Sequence, residues 1–363
     1  MNESDGPASV SAPGRGSARA VRILIATYLE PHHVDRIRAL DPRLDVVYEP
    51  DLLPRPRFPA DHVGHTLDRP GEDERRWRAL LAEAEVLFDF DRTHLEELPE
   101  YALSLRWIQA TSAGIGQRVA LHRYAERMPD VVFTTASGVH AIPLAEYAMM
   151  SILMFRKKVP EMLADQAERV WEPFASTDLT GRSLTIVGMG SIGREVARVG
   201  SDFGMRVVGV KRTVAGVDAA SLHLEFLHSF DQLDAALAGA EHLVLAAPHT
   251  PETEGLIGVP ELSLLAPGAI VVNVARGALI DEAALVDALE SGHVGGAALD
   301  VFWEEPLPPD SPFWTMPNVF VCSHSAGTSD RENDRIVDIF CENLRRYLAG
   351  EPLLNVLDTA RMY

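Results

Sequence analysis

The six residues Gly188-Met189-Gly190-Ser191-Ile192-Gly193 set three glycines at the spacing of a phosphate cradle. They follow an apolar run over 184–187 and precede a helical pattern over 194–203. Each glycine has its own task in that setting. Gly188 makes the tight turn, Gly190 lets the backbone approach a pyrophosphate, and Gly193 lets the helix pack closely on the strand. The free N–H groups at the helix start then face the anion with a partial positive charge. The following strand, 206–210, ends in Lys211-Arg212-Thr213, where an NAD site carries Asp or Glu for the ribose hydroxyls. A planar guanidinium fork at Arg212 suits a 2′-phosphate instead. NADP(H) is therefore the preferred cofactor, with NAD(H) as the lesser one.

Three later segments carry titratable groups past the ends of apparent strands. The first reads Val272-Asn-Val-Ala-Arg276-Gly277, the second Leu299-Asp300-Val-Phe-Trp-Glu-Glu305-Pro306, and the third runs from Asn318 through His324 to Gly327. Ligands of an open α/β sheet bind along the carboxyl edge of its strands. Arg276, Asp300, Glu305 and His324 are thus expected to converge on the cofactor. Histidine is the side chain suited to proton transfer near neutral pH, and a carboxylate beside it favours the charged ring and fixes its orientation. A guanidinium can hold a substrate carboxylate.

The elements that must position these groups follow from hydrophobic patterning. Strands are expected at 21–27, 86–90 and 105–110, with helical spacing over 31–40 and 68–85 and a Pro-rich loop over 50–59. A long apolar helix is expected over 141–157. Beyond it, strands at 183–187, 206–210, 242–247, 269–274, 297–301 and 319–322 alternate with helices, and Asp281 can cap the helix over 282–290. Strands apolar on both faces, alternating with helices, mean a parallel sheet covered on both sides. At 363 residues the chain has the length of two domains. Its composition, 47% hydrophobic and 24% charged, excludes a wholly disordered or collagen-like chain. Lys and Arg number 33 against 53 Asp and Glu, a net charge of −20 that argues against nucleic-acid or membrane partners. The cysteines, Cys322 and Cys341, form no paired motif, so no metal is expected. Cys322 reads as a buried strand residue. The most apolar stretch, 142–155, is interrupted by Pro143 and Glu146, residues 1–20 read as a disordered tail, and the cytoplasm is the expected location.

From about Val21 onward the sequence resembles the D-isomer-specific 2-hydroxyacid dehydrogenase family, in particular its glyoxylate/hydroxypyruvate reductase-like members. The likeness is densest over 188–327. It rests on Arg276-Gly277 followed by Asp281-Glu282 and Leu285, on the LDVF..EPLP pattern beginning at Leu299, and on Asn318-Val319 with His324 and Gly327. The resemblance implies an α/β chain of two Rossmann-like domains, each a parallel sheet covered by helices, with the active site in the interdomain cleft. Residues 21–140 and 327–363 would form the substrate-binding domain and residues 141–326 the dinucleotide-binding domain. The activity implied is NAD(P)H-dependent reduction of a small 2-ketoacid to the D-2-hydroxyacid.

Site roles follow by position. His324 matches the proton donor, Glu305 its carboxylate partner and Arg276 the substrate-binding arginine. Asp300 matches the residue near the nicotinamide amide. Pro248, Thr253, Val274, Ala275, His324 and Gly327 join Gly188 to Gly193 and Lys211 to Thr213 along the cofactor. The segment from Trp107 to Gly116 resembles the loop whose N–H groups bind the substrate carboxylate, at Ala113 and Gly114. Residues 137–140 match the hinge, with His140 a candidate to face the cleft. A homodimer formed mainly through the cofactor domains is also implied. Two departures stand out: Cys322-Ser323 replaces a frequent Thr-Pro, and Lys211-Arg212 replaces the NAD-type carboxylate. A formate dehydrogenase would pair its histidine with glutamine and place asparagine near the hinge, whereas this chain has Glu305 and His140. A reductase of a bulkier apolar 2-ketoacid and a dinucleotide-sensing corepressor are the other readings the residues allow.

Overall fold

A computed structural model describes residues 19–362. Residues 1–18, most of the expected N-terminal tail, lie outside the described residues. The described residues divide into two compact units, one of those up to Val139 together with those from Ser329 onward, the other His140–Thr328.

The first unit is built on β1 (Val21–Ile25), β2 (Leu44–Val47), β3 (Val86–Phe88), β4 (Trp107–Gln109) and β5 (Val132–Thr134). All pair in parallel, in the order β2-β1-β3-β4-β5. This is a doubly wound order, reversing between β1 and β3. Strands β2 and β5 were not expected, because runs of four and three residues carry little periodicity of their own. Within 50–59, expected as loop, Pro50–Leu52 forms a single 3-10 turn. The last helix, Glu332–Ala349, returns to this unit from the far end of the chain. Its Ile336, Val337, Phe340 and Leu344 are buried with Val21, Ile23, Phe88 and Trp107.

The second unit holds β6 (Ser183–Val187), β7 (Arg206–Val210), β8 (Phe226–His228), β9 (His242–Leu245), β10 (Ala269–Asn273), β11 (Val294–Leu299) and β12 (Val319–Val321). Its sheet runs β12-β11-β10-β9-β6-β7-β8, every pair parallel. The order reverses between β6 and β9, which creates the crevice where such sheets take nucleotides. The central strands are buried throughout, whereas the edge strands β8 and β12 are partly exposed. The expectation of strands apolar on both faces therefore fails at the two edges, where no neighbouring strand excludes water.

The long helix Ala141–Arg156 is tied to the amino-terminal edge of this sheet by its last residue. Arg156 donates from Nε to His242 Nε2 at 2.8 Å and from Nη2 to the Glu241 carbonyl at 2.8 Å. A third bond runs from Nη1 to the Gly268 carbonyl at 3.2 Å. Because Nε2 accepts, His242 carries its hydrogen on Nδ1 and donates it to the Ser183 carbonyl at 2.7 Å. Burial first, and the Arg156 charge with it, push the His242 pKa down to about 4. The ring must therefore stay neutral for the fold, while the unfolded chain takes up a proton near pH 6.5. Stability from this group is complete above about pH 6.5 and falls as the pH drops toward 4, by roughly 3 kcal/mol in all. Thermal melts across that range are expected to show this loss in the natural protein. They should show a shallower slope in His242→Gln, and equal slopes would disprove the assignment.

Candidate active site

The carboxyl ends of the second unit's strands carry the candidate cofactor groups. Immediately after β6, Gly188 adopts φ 102°, a conformation that favours glycine. A Cβ there would sit 2.4 Å from the Ala247 nitrogen, so the turn also needs glycine for its close approach to the segment after β9. A Cβ on Gly193 would come within 2.0 Å of the Gly188 carbonyl oxygen. At Gly190 a Cβ would meet nothing within 4 Å, so this glycine faces open space, as an approach point for a pyrophosphate requires. The helix Ser191–Asp202 begins directly after it, three residues earlier than its pattern predicted, with no side-chain cap on its first N–H groups. Those uncapped donors and the space above Gly190 fit the pyrophosphate of a dinucleotide.

The neighbouring strand ends complete this edge. Lys211, Arg212 and Thr213 follow β7, with Arg212 exposed and 3.4 Å from Glu252. After β9, the Thr253 hydroxyl donates to the Pro248 carbonyl at 2.7 Å and accepts from the Thr250 N–H at 2.8 Å, which fixes that loop. Val274 and Ala275 follow β10 and are buried.

Arg276, Glu305 and His324 come together at the ends of β10, β11 and β12. Glu305 Oε1 accepts the Phe302 N–H at 3.0 Å, and Oε2 lies 2.7 Å from His324 Nδ1. Burial alone would raise the Glu305 pKa. The bonds from His324 and Phe302, with the charges of His324 and Arg276, outweigh burial and hold it below the ordinary carboxylate range. An ionised carboxylate only accepts, so His324 carries hydrogen on Nδ1 and leaves Nε2 for other chemistry. The Arg276 guanidinium is largely buried, which lowers its pKa, while Glu305 and Asp300 nearby act in the opposite sense. It stays charged under any ordinary condition, held by a bond from Nη1 to the Ala275 carbonyl at 2.7 Å.

The loop expected to bind a carboxylate belongs to the first unit. Thr111, directly after β4 and Ala110, is buried, whereas Ala113 and Gly114 are exposed. Among the described residues neither of their N–H groups has a protein acceptor. Two adjacent unused donors on an exposed loop fit the anion role assigned to them.

Residues 149–326 match the family model described as D-isomer specific 2-hydroxyacid dehydrogenase, NAD binding domain. A Haemophilus influenzae protein bearing a 2-hydroxyacid dehydrogenase name is 31% identical over 310 residues, 82% of this chain and 93% of that one. The chain belongs to the D-isomer-specific 2-hydroxyacid dehydrogenase family. D-3-phosphoglycerate dehydrogenase of Mycobacterium tuberculosis is 35% identical over 284 residues, 77% of this chain but 52% of the relative. The chain thus spans about half the length of that group of curated relatives. Among solved structures, a family member from Xanthobacter autotrophicus Py2, in complex with NADPH and MES, superposes with a TM-score of 0.74. It shares 28% identity, covering 95% of this chain and all of that one.

Cys322 is only half-buried and lies one residue past β12, which corrects its expected place inside a buried strand. Burial, with Asp300 beside it, pushes its thiol up to about 11, so it is not a ready thiolate. Asp300 also does something the sequence did not disclose. Its Oδ1 accepts the N–H groups of Ser325 (2.8 Å) and Ala326 (3.0 Å), and its carbonyl accepts the His324 N–H at 2.9 Å. These bonds hold His324 at φ 51°, in the left-handed region. A side chain other than glycine persists there when its surroundings over-determine it. Gly277, part of the sequence motif, gains a physical reason: a Cβ on it would sit 1.9 Å from the Phe302 carbonyl carbon, so glycine after Arg276 lets the two loops touch. His140 lies against Gly327, where a Cβ would stand 3.3 Å from the imidazole.

Proposed function

We propose that the protein reduces a small 2-ketoacid of the glyoxylate or hydroxypyruvate class to the D-2-hydroxyacid, with NADPH preferred. The observation that carries this reading is the His324–Glu305 pair at 2.7 Å with the Arg276 charge beside it, on the sheet edge that also bears the glycine cradle. When bound, the reduced nicotinamide supplies the hydride for the carbonyl carbon. His324 delivers the proton to the carbonyl oxygen from Nε2, while Glu305 holds Nδ1–H and stabilises the charged ring before transfer. Arg276 pairs with the substrate carboxylate and polarises the carbonyl as charge develops on its oxygen. The N–H groups of Ala113 and Gly114, on the first unit, are proposed as donors to a carboxylate. Val274, Ala275, Pro248 and Thr253 line the dinucleotide, and Asp300 serves it from beside the His324 loop.

A homodimer is part of this proposal. The second unit exposes Met150, Met162, Leu163, Val170, Trp171 and Phe174 on and after the helices Ala141–Arg156 and Val159–Glu168, and Trp171 is 95% exposed. An apolar surface of that kind marks an interaction site. No described helix is long and apolar enough to cross a membrane.

The test is steady-state oxidation of NADPH and NADH against glyoxylate, hydroxypyruvate, phosphohydroxypyruvate, pyruvate and phenylpyruvate. Turnover with NADPH on the small acids is expected. Preference for phenylpyruvate would replace the substrate class, and cofactor binding without turnover on any acid would favour a sensing role. In the same assay Arg212→Asp is expected to lower the NADPH-to-NADH ratio of kcat/KM about 10- to 100-fold, the worth of charged hydrogen bonds to a 2′-phosphate. An unchanged ratio would remove Arg212 from cofactor choice.

A further inference from the structure

A cluster in the first unit has no part in this chemistry. His32 and His33 open the helix Pro31–Arg38, and Asp334 lies in the first turn of Glu332–Ala349. One ligand atom from each of the three can be chosen so that all lie within 4.8 Å of one another. The two imidazole centroids are 4.0 Å apart, and His33 Nε2 is 3.7 Å from Asp334 Oδ1, too far for a hydrogen bond. His33 is only 4% exposed, and its Nδ1 has no hydrogen-bond partner among the described residues. A buried imidazole without a hydrogen bond on either nitrogen calls for a physical reason, and a bound ion is one.

The surroundings favour a cation. A cavity of about 240 Å³ lies at the cluster, and Glu30, Asp330 and Asp334 line it with the two histidines. No Lys or Arg is among the lining residues. Arg331 meets Asp334 through Oδ2 at 3.8 Å, which leaves Oδ1 turned to His33. Glu30 Oε2 accepts from Asn333 Nδ2 at 2.8 Å, so the two helix starts are already joined at the cavity wall.

We propose that His32, His33 and Asp334 form a binding site for a divalent transition-metal ion of the zinc class, which staples the first turn of Pro31–Arg38 to the first turn of Glu332–Ala349. Two imidazoles and a carboxylate are a donor set that suits zinc, which takes nitrogen and oxygen ligands at about 2.0–2.2 Å in tetrahedral array. Ligand atoms in such an array stand about 3.4 Å apart. The observed spread of up to 4.8 Å therefore narrows on binding, through small movements of the exposed His32 and the partly exposed Asp334. Water or one of the lining carboxylates completes the set. The staple would join two helices some three hundred residues apart in the chain, where an ion pair between Arg36 and Asp338 joins them one turn further on.

The experiment is calorimetric titration of the chelator-treated full chain with zinc chloride, with thermal melts and NADPH titrations on the same samples. One zinc ion per chain and a raised Tm are expected. His32→Gln and Asp334→Asn, both at accessible positions, should each weaken zinc binding at least about 10-fold. His223→Gln, at an exposed histidine of the other unit, should bind zinc as the natural protein does. Absence of stoichiometric zinc binding, or undiminished binding in both ligand variants, would overturn the site. NADPH titrations report separately on the cofactor cradle, so this result stands apart from the proposed activity.

Discussion

Replacement of His324 by glutamine is expected to lower kcat for ketoacid reduction by about 10²- to 10⁴-fold, the usual contribution of a positioned acid–base group. Glutamine can still bond to Glu305 Oε2, which now meets His324 Nδ1 at 2.7 Å. It cannot release a proton to the carbonyl oxygen, so the chemical step suffers. The cofactor cradle, built from Gly188, Gly190 and Gly193 after β6, does not depend on the imidazole, and NADPH affinity should change little. His324 holds a left-handed conformation fixed through the Asp300 carbonyl and Oδ1. Equal thermal melts of the two proteins are therefore needed to assign the loss to proton transfer. Turnover within a factor of a few of the natural enzyme would take His324 out of the mechanism.

Arg276→Ala is expected to cost about 10²- to 10³-fold in kcat/KM, with KM raised and kcat lowered together. In the proposed role the guanidinium would act on the substrate carboxylate in the ground state and on the developing oxyanion in the transition state, so both parameters should move. Removing it also leaves Glu305 without one of the charges that keep it ionised. Arg276→Lys should recover part of the loss, since an ammonium restores charge but not the planar fork. A variant with a lowered Tm and intact kinetics would instead make Arg276 a structural residue, held through its bond to the Ala275 carbonyl.

The second unit was the more legible of the two. Its strands β6, β7, β9 and β10 are mostly apolar and rich in β-branched or leucine residues, and the glycine spacing after β6 marks a turn that few other residues can make. Asp281 caps its helix by accepting the Ala284 N–H at 3.1 Å, as its type and place suggested. Short elements were less legible. The strands β2, β5 and β8 and the helix Val159–Glu168 have too few residues, or too weak a pattern, to stand out before their neighbours pack on them. The helix after the cradle begins at Ser191 because Gly190 leads straight into it, whereas the apolar pattern emerges only after Gly193.

By itself the sequence determined the α/β class, the parallel sheet of the second unit, the glycine turn after β6 and the strand ends beyond which Arg276, Glu305 and His324 stand. Patterning and motif spacing are local properties, and each strand end follows directly from the strand before it. Only the tertiary structure decided that Glu305 meets His324 at Nδ1, which leaves Nε2 as the nitrogen available for the proposed proton transfer. It alone showed Asp300 clamping the His324 loop, and burial, with Arg156 bonded to Nε2, holding His242 neutral at the sheet edge. It also brought His32 and His33 to Asp334 from opposite ends of the chain. Hydrogen bonds and burial between residues far apart in sequence exist only once the strands are in register, so no local signal carries them.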